Sequence, residues 1–285
     1  MSSYNKREIM ENNDFVYKER VMYIYIFSIT VYTYLCKLTI LCVFSYYYFN
    51  INALEMGVFV LFGFNISILG KNYGFLENTI LATSLNERDF KLLNGKNNNT
   101  LRYVNNEFKI DVIMKVSHVS NNTVKLTNEI INRSENEIII THFSSGVIRN
   151  IADNGGWTQR GRLRFYTCKN CWQGEFQWAR QDVSQLMIYN VSTHNNNSSY
   201  RIGSSGSWST AKYYPLIIAE DTIENRCYYS EMLSPASWEI EVGNYAEELT
   251  DGYIYIENTA ASENCDGWNY KLKSGESYKA VPVIC

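Results

Sequence analysis

The chain has 285 residues, enough for one large β domain or two smaller ones and ample to bury a core. A formal net charge of −3, 19% charged residues and the lack of any basic run exclude a partner held through nucleic-acid phosphates. Aromatics reach 15%, led by 23 Tyr, and only 3 Pro occur, a composition that leans towards β structure.

Met1–Arg20 is polar. Val21–Phe49 is apolar and aromatic, with Lys37 its only charge, and Leu54–Leu69 is a second apolar run whose only charge is Glu55. A membrane span needs roughly 20 apolar residues, so Val21–Phe49 is long enough to make a membrane contact. Its many Tyr and Thr suit buried strands better, and Lys37 near its middle is costly in a bilayer. Both readings stand, with strands or poorly defined structure ahead of an anchor. The leader carries charges of both signs and no small-residue cleavage site, unlike a secretory signal. All six Trp and all three Pro lie beyond position 150, and the character of the chain changes near residue 75. The expected organisation is residues 1–75 as a polar leader and apolar segment of uncertain structure, then a β domain over 76–285.

Phe108, Ile110, Val112, Met114 and Val116 alternate with Lys109, Asp111, Lys115 and Ser117, the period of a half-buried strand. Ser120–Asn122 reads as a turn, Thr123–Asn132 as a second strand, Arg133–Asn136 as a turn and Glu137–Phe143 as a third strand, giving an antiparallel meander. Further strands are predicted over Arg162–Tyr166, Tyr213–Ala219, Cys227–Leu233, Ala236–Val242, Gly252–Glu257, Trp268–Leu272 and Lys279–Ile284, with a turn at Ser274-Gly275. Val183–Ile188 is the one stretch that suits a helical turn. Many short strands at regular spacing predict an all-β antiparallel sandwich.

Seven Cys is an odd count at irregular spacing. Cys168 and Cys171 form one CxxC with no second pair, and His118, His142 and His194 stand far apart, so no metal or other cofactor is expected. A reducing, cytoplasmic location fits best. Neither a phosphate loop, GxSxG nor HExxH is present.

Several segments, in order, resemble glycoside hydrolase family 36, the α-galactosidase-like enzymes. They are Val124–Ser145, with Asn132-Arg133-Ser134 and Phe143-Ser144-Ser145; Cys171–Glu175 with Gln177, Trp178 and Arg180; and Gly206–Thr210 with Lys212–Pro215. Trp238–Glu241 and Lys273–Ser277 extend the likeness over about Phe108–Pro282. The resemblance implies the family's N-terminal β-supersandwich, of galactose mutarotase-like fold. It also implies a catalytic (β/α)₈ barrel as partner, α-galactoside sugars as ligands, and homo-oligomers. Retaining hydrolysis needs two carboxylates about 5–5.5 Å apart, which in the family lie on the barrel. None is carried over here, and the chain is expected to be a non-catalytic member truncated before the barrel. A stand-alone carbohydrate-binding module and a membrane-tethered β module are the alternatives.

The residues singled out for sugar or domain contact are Trp172, Glu175, Trp178 and Arg180, then Trp208, Lys212, Tyr213 and Tyr214. Aromatics and Arg are the types that dominate interfaces. Arg180 is placed to pair with Glu175 or with a barrel carboxylate. Trp208, among Gly and Ser, is compatible with an exposed or a core position, whereas Trp238 and Trp268 are expected in the core. Glu239 and Glu241 share one strand face opposite Trp238, Ile240 and Val242, and read as solvated carboxylates rather than an acid/base couple.

Overall fold

The computed structural model describes residues 61–71, 80–93, 99–151, 161–171, 173–188, 199–245, 253–265 and 267–285, all within the unit Asn52–Cys285. Val21–Phe49, with its two readings, lies outside them. Runs of β-branched and aromatic residues closed by Asn, Gly and Ser turns make strands throughout. In chain order these are β1 (Leu61–Gly63), β2 (Asn65–Lys71), β3 (Ile80–Asn86), β4 (Lys91–Leu93), β5 (Thr100–Asn105), β6 (Ile110–Ser120) and β7 (Thr123–Asn132). Next come β8 (Ile138–Phe143), β9 (Gly146–Arg149), β10 (Leu163–Lys169), β11 (Gln177–Asp182), β12 (Ser199–Ser204), β13 (Tyr213–Asp221) and β14 (Arg226–Met232). The last are β15 (Trp238–Tyr245), β16 (Tyr253–Thr259), β17 (Ala261–Ser262), β18 (Tyr270–Leu272), β19 (Ser277–Lys279) and β20 (Val283–Ile284). Among the described residues one 3₁₀ turn, Glu87–Asp89, occurs, and Asn86 caps it.

The strands form three antiparallel sheets. The first runs β1-β9-β16-β15-β12, the second β11-β10-β13-β14-β20-β7-β6-β5-β4 with β19 also on β7, and the third β17-β8-β2-β3 with β18 also on β8. The protein is an all-β antiparallel sandwich. Along β7 every second residue (Val124, Leu126, Asn128, Ile130, Asn132) is buried, and β6 buries Ile110, Val112, Met114 and Val116. Asp111, on the polar side of the predicted alternation, is buried too, because Arg102 at 2.5 Å and Arg133 close on its carboxylate.

Across from the second sheet, the first buries Trp238, Ile240, Val242, Ile254 and Ile256. A polar seam ties the layers: Ser230 Oγ donates to Asn258 Oδ1 at 3.0 Å and Asn128 Nδ2 to the Ser144 carbonyl at 3.2 Å. Polar groups so deep are for the most part hydrogen-bonded.

Three features depart from the pattern. Strand pairing reaches back to Leu61, ahead of the break in character near residue 75, because Phe64, Ile66 and Ile68 have a core to enter. Lys279–Ile284 splits into β19 and β20, since Pro282 has no N–H for a ladder, and its carbonyl instead accepts from Leu233. Trp268 is half-buried rather than core: strand structure begins only at Tyr270, and the indole packs against Tyr270 and Tyr278, ring centroids 6.4 and 5.3 Å away. Val183–Ile188 is a turn closed by Leu186 N–H to the Asp182 carbonyl at 3.1 Å.

Candidate functional site

Trp178, Arg180, Tyr213 and Tyr214 lie on β11 and β13, the two strands that flank β10 in the second sheet, and Trp208 and Lys212 lie in the loop that leads into β13. Trp172 lies outside the described residues. Edge strand β11 sets Trp178 opposite Cys168 and Arg180 opposite Tyr166, while Lys169 of β10 faces Tyr213 of β13. Asn170 joins the two segments: its N–H donates to the Lys212 carbonyl at 2.8 Å and its Nδ2 to the Thr210 carbonyl at 2.6 Å. Gln173 and Phe176 take positive φ of 63° and 55° in the intervening turn, which lays the Phe176 ring on Tyr214, centroids 4.4 Å apart. Trp178 is 52% exposed, Phe176 63% and Trp208 57%, so Trp208 is a surface residue. Glu175, Arg180 and Lys212 are exposed and Tyr213 half-buried, its hydroxyl bonded to that of Tyr200. No ion pair joins Glu175 to Arg180 among the described residues. Arg180 lies instead by Tyr166 and Asp182.

A second constellation forms where the first and third sheets meet. Three strands of one continue into the other through bends of one or two residues: β1 into β2 at Phe64, β8 into β9 at Ser144-Ser145, and β16 into β17 at Ala260. The bend is fixed by Asn65 N–H donating to Ser144 Oγ at 2.7 Å and Ser144 N–H donating to the Asn65 carbonyl at 3.0 Å. Strands that switch sheets make corners in this way. In the angle lies an open cleft of about 440 Å³. The first sheet contributes Arg201, Glu239, Glu241, Tyr255 and Glu257, and the third contributes Asn65, Ser67, Ser84 and His142.

Register explains the gathering. Glu241 of β15 faces Arg201 on β12 and Glu257 on β16, while Glu239 faces Gly203 and Thr259. His142 faces Ser67 across β8 and β2, and Ser67 faces Ser84. Gly243 has no side chain, and a Cβ there would fall within the Tyr255 ring. The ring therefore lies along β15, and its hydroxyl donates to Glu241 Oε1 at 2.6 Å. The other Glu241 oxygen accepts from Arg201 Nε. Glu257 holds His142 Nε2 at 2.6 Å and accepts from Asn65 Nδ2 at 2.6 Å. Glu239 has only Arg201 Nε, 3.8 Å away, and no hydrogen bond among the described residues, although its side chain is just 16% exposed.

These surroundings push the groups apart. Burial raises the Glu239 carboxyl above its ordinary value; Arg201 and His142 oppose this, Glu241 and Glu257 add to it. Burial also favours neutral Glu257, but His142 and Asn65 override it and hold the carboxyl below its usual range. For His142, burial disfavours the imidazolium and the Glu257 carboxylate overrides it, raising its pKa. Glu239 and Glu241 are thus only partly solvated: their side chains are 16% and 15% exposed in the wall of the open cleft, where Arg201 pairs with both. Neighbouring carboxylates of divergent acidity in a cleft mark a functional-site candidate. Among the described residues, no group of three or more His, Cys, Asp or Glu is placed to hold a metal ion.

No family model and no curated protein matches this chain. Solved structures do. The GH36 α-galactosidase AgaA of Geobacillus stearothermophilus matches with a TM-score of 0.51 at 10% identity, over 81% of this chain and 28% of that one. A doubly substituted form of AgaA in complex with stachyose matches with a TM-score of 0.53 at 10% identity, over 76% of this chain and 29% of that one. The chain shares the fold of part of a GH36 α-galactosidase. It spans less than a third of that enzyme's length.

Proposed function

We propose that this chain is the non-catalytic β-sandwich domain of an α-galactosidase-like glycoside hydrolase, the N-terminal domain of that family's arrangement, docking a (β/α)₈ catalytic barrel. The observation that carries this reading is the exposed pair Phe176 and Trp178, with Phe176 stacked on half-buried Tyr214, together with exposed Trp208 on the neighbouring segment that Asn170 ties to theirs through Thr210 and Lys212. Buried aromatic anchors supply most of the energy of an interface. A bulky residue at positive φ costs about 1–3 kcal/mol and persists where function selects it, and Phe176 has that conformation. The occupant follows from proportion: more than two thirds of AgaA lies outside the match, so a domain of this type has a larger partner to meet. Free thiols at Cys168, Cys171, Cys227 and Cys285 fit a reducing cytoplasm.

Two measurements test the reading. The purified chain should release nothing from an aryl α-galactoside, and turnover by it would overturn the non-catalytic role. Co-expressed with the barrel encoded beside its gene, the tagged chain should retain that barrel on a column. Trp178→Ala with Trp208→Ala should weaken retention at least about tenfold. Absence of a barrel reading frame beside the gene, or unchanged retention by the double variant, counts against docking.

A further inference from the structure

The docking face leaves the cleft between the first and third sheets unused. Its ionic groups do not balance. Glu239, Glu241 and Glu257 face at most two cations, Arg201 and the imidazolium of His142, which the Glu257 carboxylate favours. Two carboxylates are fully matched, each to one cation and one neutral donor: Glu241 to Arg201 and Tyr255, Glu257 to His142 and Asn65. Glu239 is left without a hydrogen-bond donor, in a place where burial and two neighbouring carboxylates make its charge costly. Its cross-strand neighbours are Gly203 and Thr259, so nothing on either facing strand requires a carboxylate at this position.

We propose that this cleft binds a small molecule through a primary ammonium group, which pairs with Glu239. One positive charge closes the balance of the lining. An ammonium offers three hydrogens, one for Glu239 and others for acceptors such as the Ser67 and Ser84 hydroxyls, which stand 3.0 Å apart on the opposite wall. An anion meets an uncompensated carboxylate, and a neutral polyol leaves that charge in place. This inference rests on the cleft alone and stands or falls apart from the docking reading.

Calorimetric titration of the full chain with galactosamine, and with galactose as its neutral counterpart, tests it. Galactosamine should bind at millimolar concentration and at least about tenfold more tightly than galactose. Equal binding of the two sugars, or no heat from galactosamine, overturns the proposal. Glu239→Gln preserves shape and removes the charge, and should weaken galactosamine at least about tenfold. Ser84→Trp fills the cleft from the third sheet while leaving all three carboxylates in the chain, and should abolish binding even if the first variant fails to fold. Undiminished affinity in a folded variant of either kind overturns the assignment. Barrel retention through Trp178 and Trp208 is measured on another face, so failure here leaves that result intact.

Discussion

His142 and Glu257 illustrate how much one pair can hold. Glu257 is buried, and its charge is tolerated because His142 and Asn65 contact it, with the charge of Arg149 adding to their effect. Removing one partner of a buried pair strands the other, so His142→Ala should lower unfolding free energy by about 3 kcal/mol, read from the urea midpoint at pH 6. Glu239 carries the opposite sign. Its carboxyl titrates above the ordinary value because burial penalises the charge, so the folded state favours the protonated form. Glu239→Gln should therefore raise the melting temperature at pH 7, far above the ordinary carboxyl value of 4.5, and leave it unchanged near pH 4. A variant that loses ligand and gains stability is what a residue held for binding gives. A lower melting temperature at pH 7 would mark Glu239 as structural instead.

At the scale of elements, the loop that exposes Trp208 is pinned from below. The Trp238 indole, fully buried on β15, donates from Nε1 to the Ser209 carbonyl at 2.5 Å, and Ser204 Oγ donates to the Trp208 carbonyl at 3.0 Å. Trp238→Phe keeps most of the packing and strands that carbonyl, so it should cost about 1–2 kcal/mol and speed proteolysis between Gly206 and Lys212. Stability loss without faster cleavage would place its role in packing alone. The same strand shows what was legible in the sequence. Period-2 alternation located β6, β7 and β15, and Asn121-Asn122 marked the turn, because those signals are local. Trp238 announced itself by its apolar neighbours. The fate of Glu239 and Glu241 did not, since their surroundings come from far along the chain: Arg201 is 40 residues before Glu241, and Glu257 meets His142 and Asn65 at separations of 115 and 192. Alternation says only that two carboxylates share a face, and a corner in another sheet decides whether water reaches it. Ser144-Ser145, quoted for a family likeness, proved to be one of the bends that make that corner.

For the whole molecule, the corner couples proton binding to stability, because its charged groups sit where two sheets join. His142 titrates above its ordinary 6.5, so its contribution is complete below that value and is lost as pH rises through the raised pKa. Glu257 titrates below its ordinary 4.5, so its contribution is complete above that value and fades as pH falls through the lowered pKa. Asp221, which burial alone would raise, is brought low by Arg162 and two backbone N–H donors, and steepens the acid limb. Glu239 works on the alkaline side with His142, since its ionisation above 4.5 costs the fold. Arg149, Arg201, Glu241 and Tyr255 also act on this cluster and set its field. Stability should peak between the two ordinary values, 4.5 and 6.5, and decline by pH 8. Urea midpoints across pH 3 to 8 give the profile. In His142→Ala the fall above pH 6.5 should flatten while the acid limb set by Asp221 persists. A wild-type profile that stays level from pH 6 to 8, or one whose alkaline fall survives His142→Ala unchanged, would show that the corner does not govern the stability of the whole.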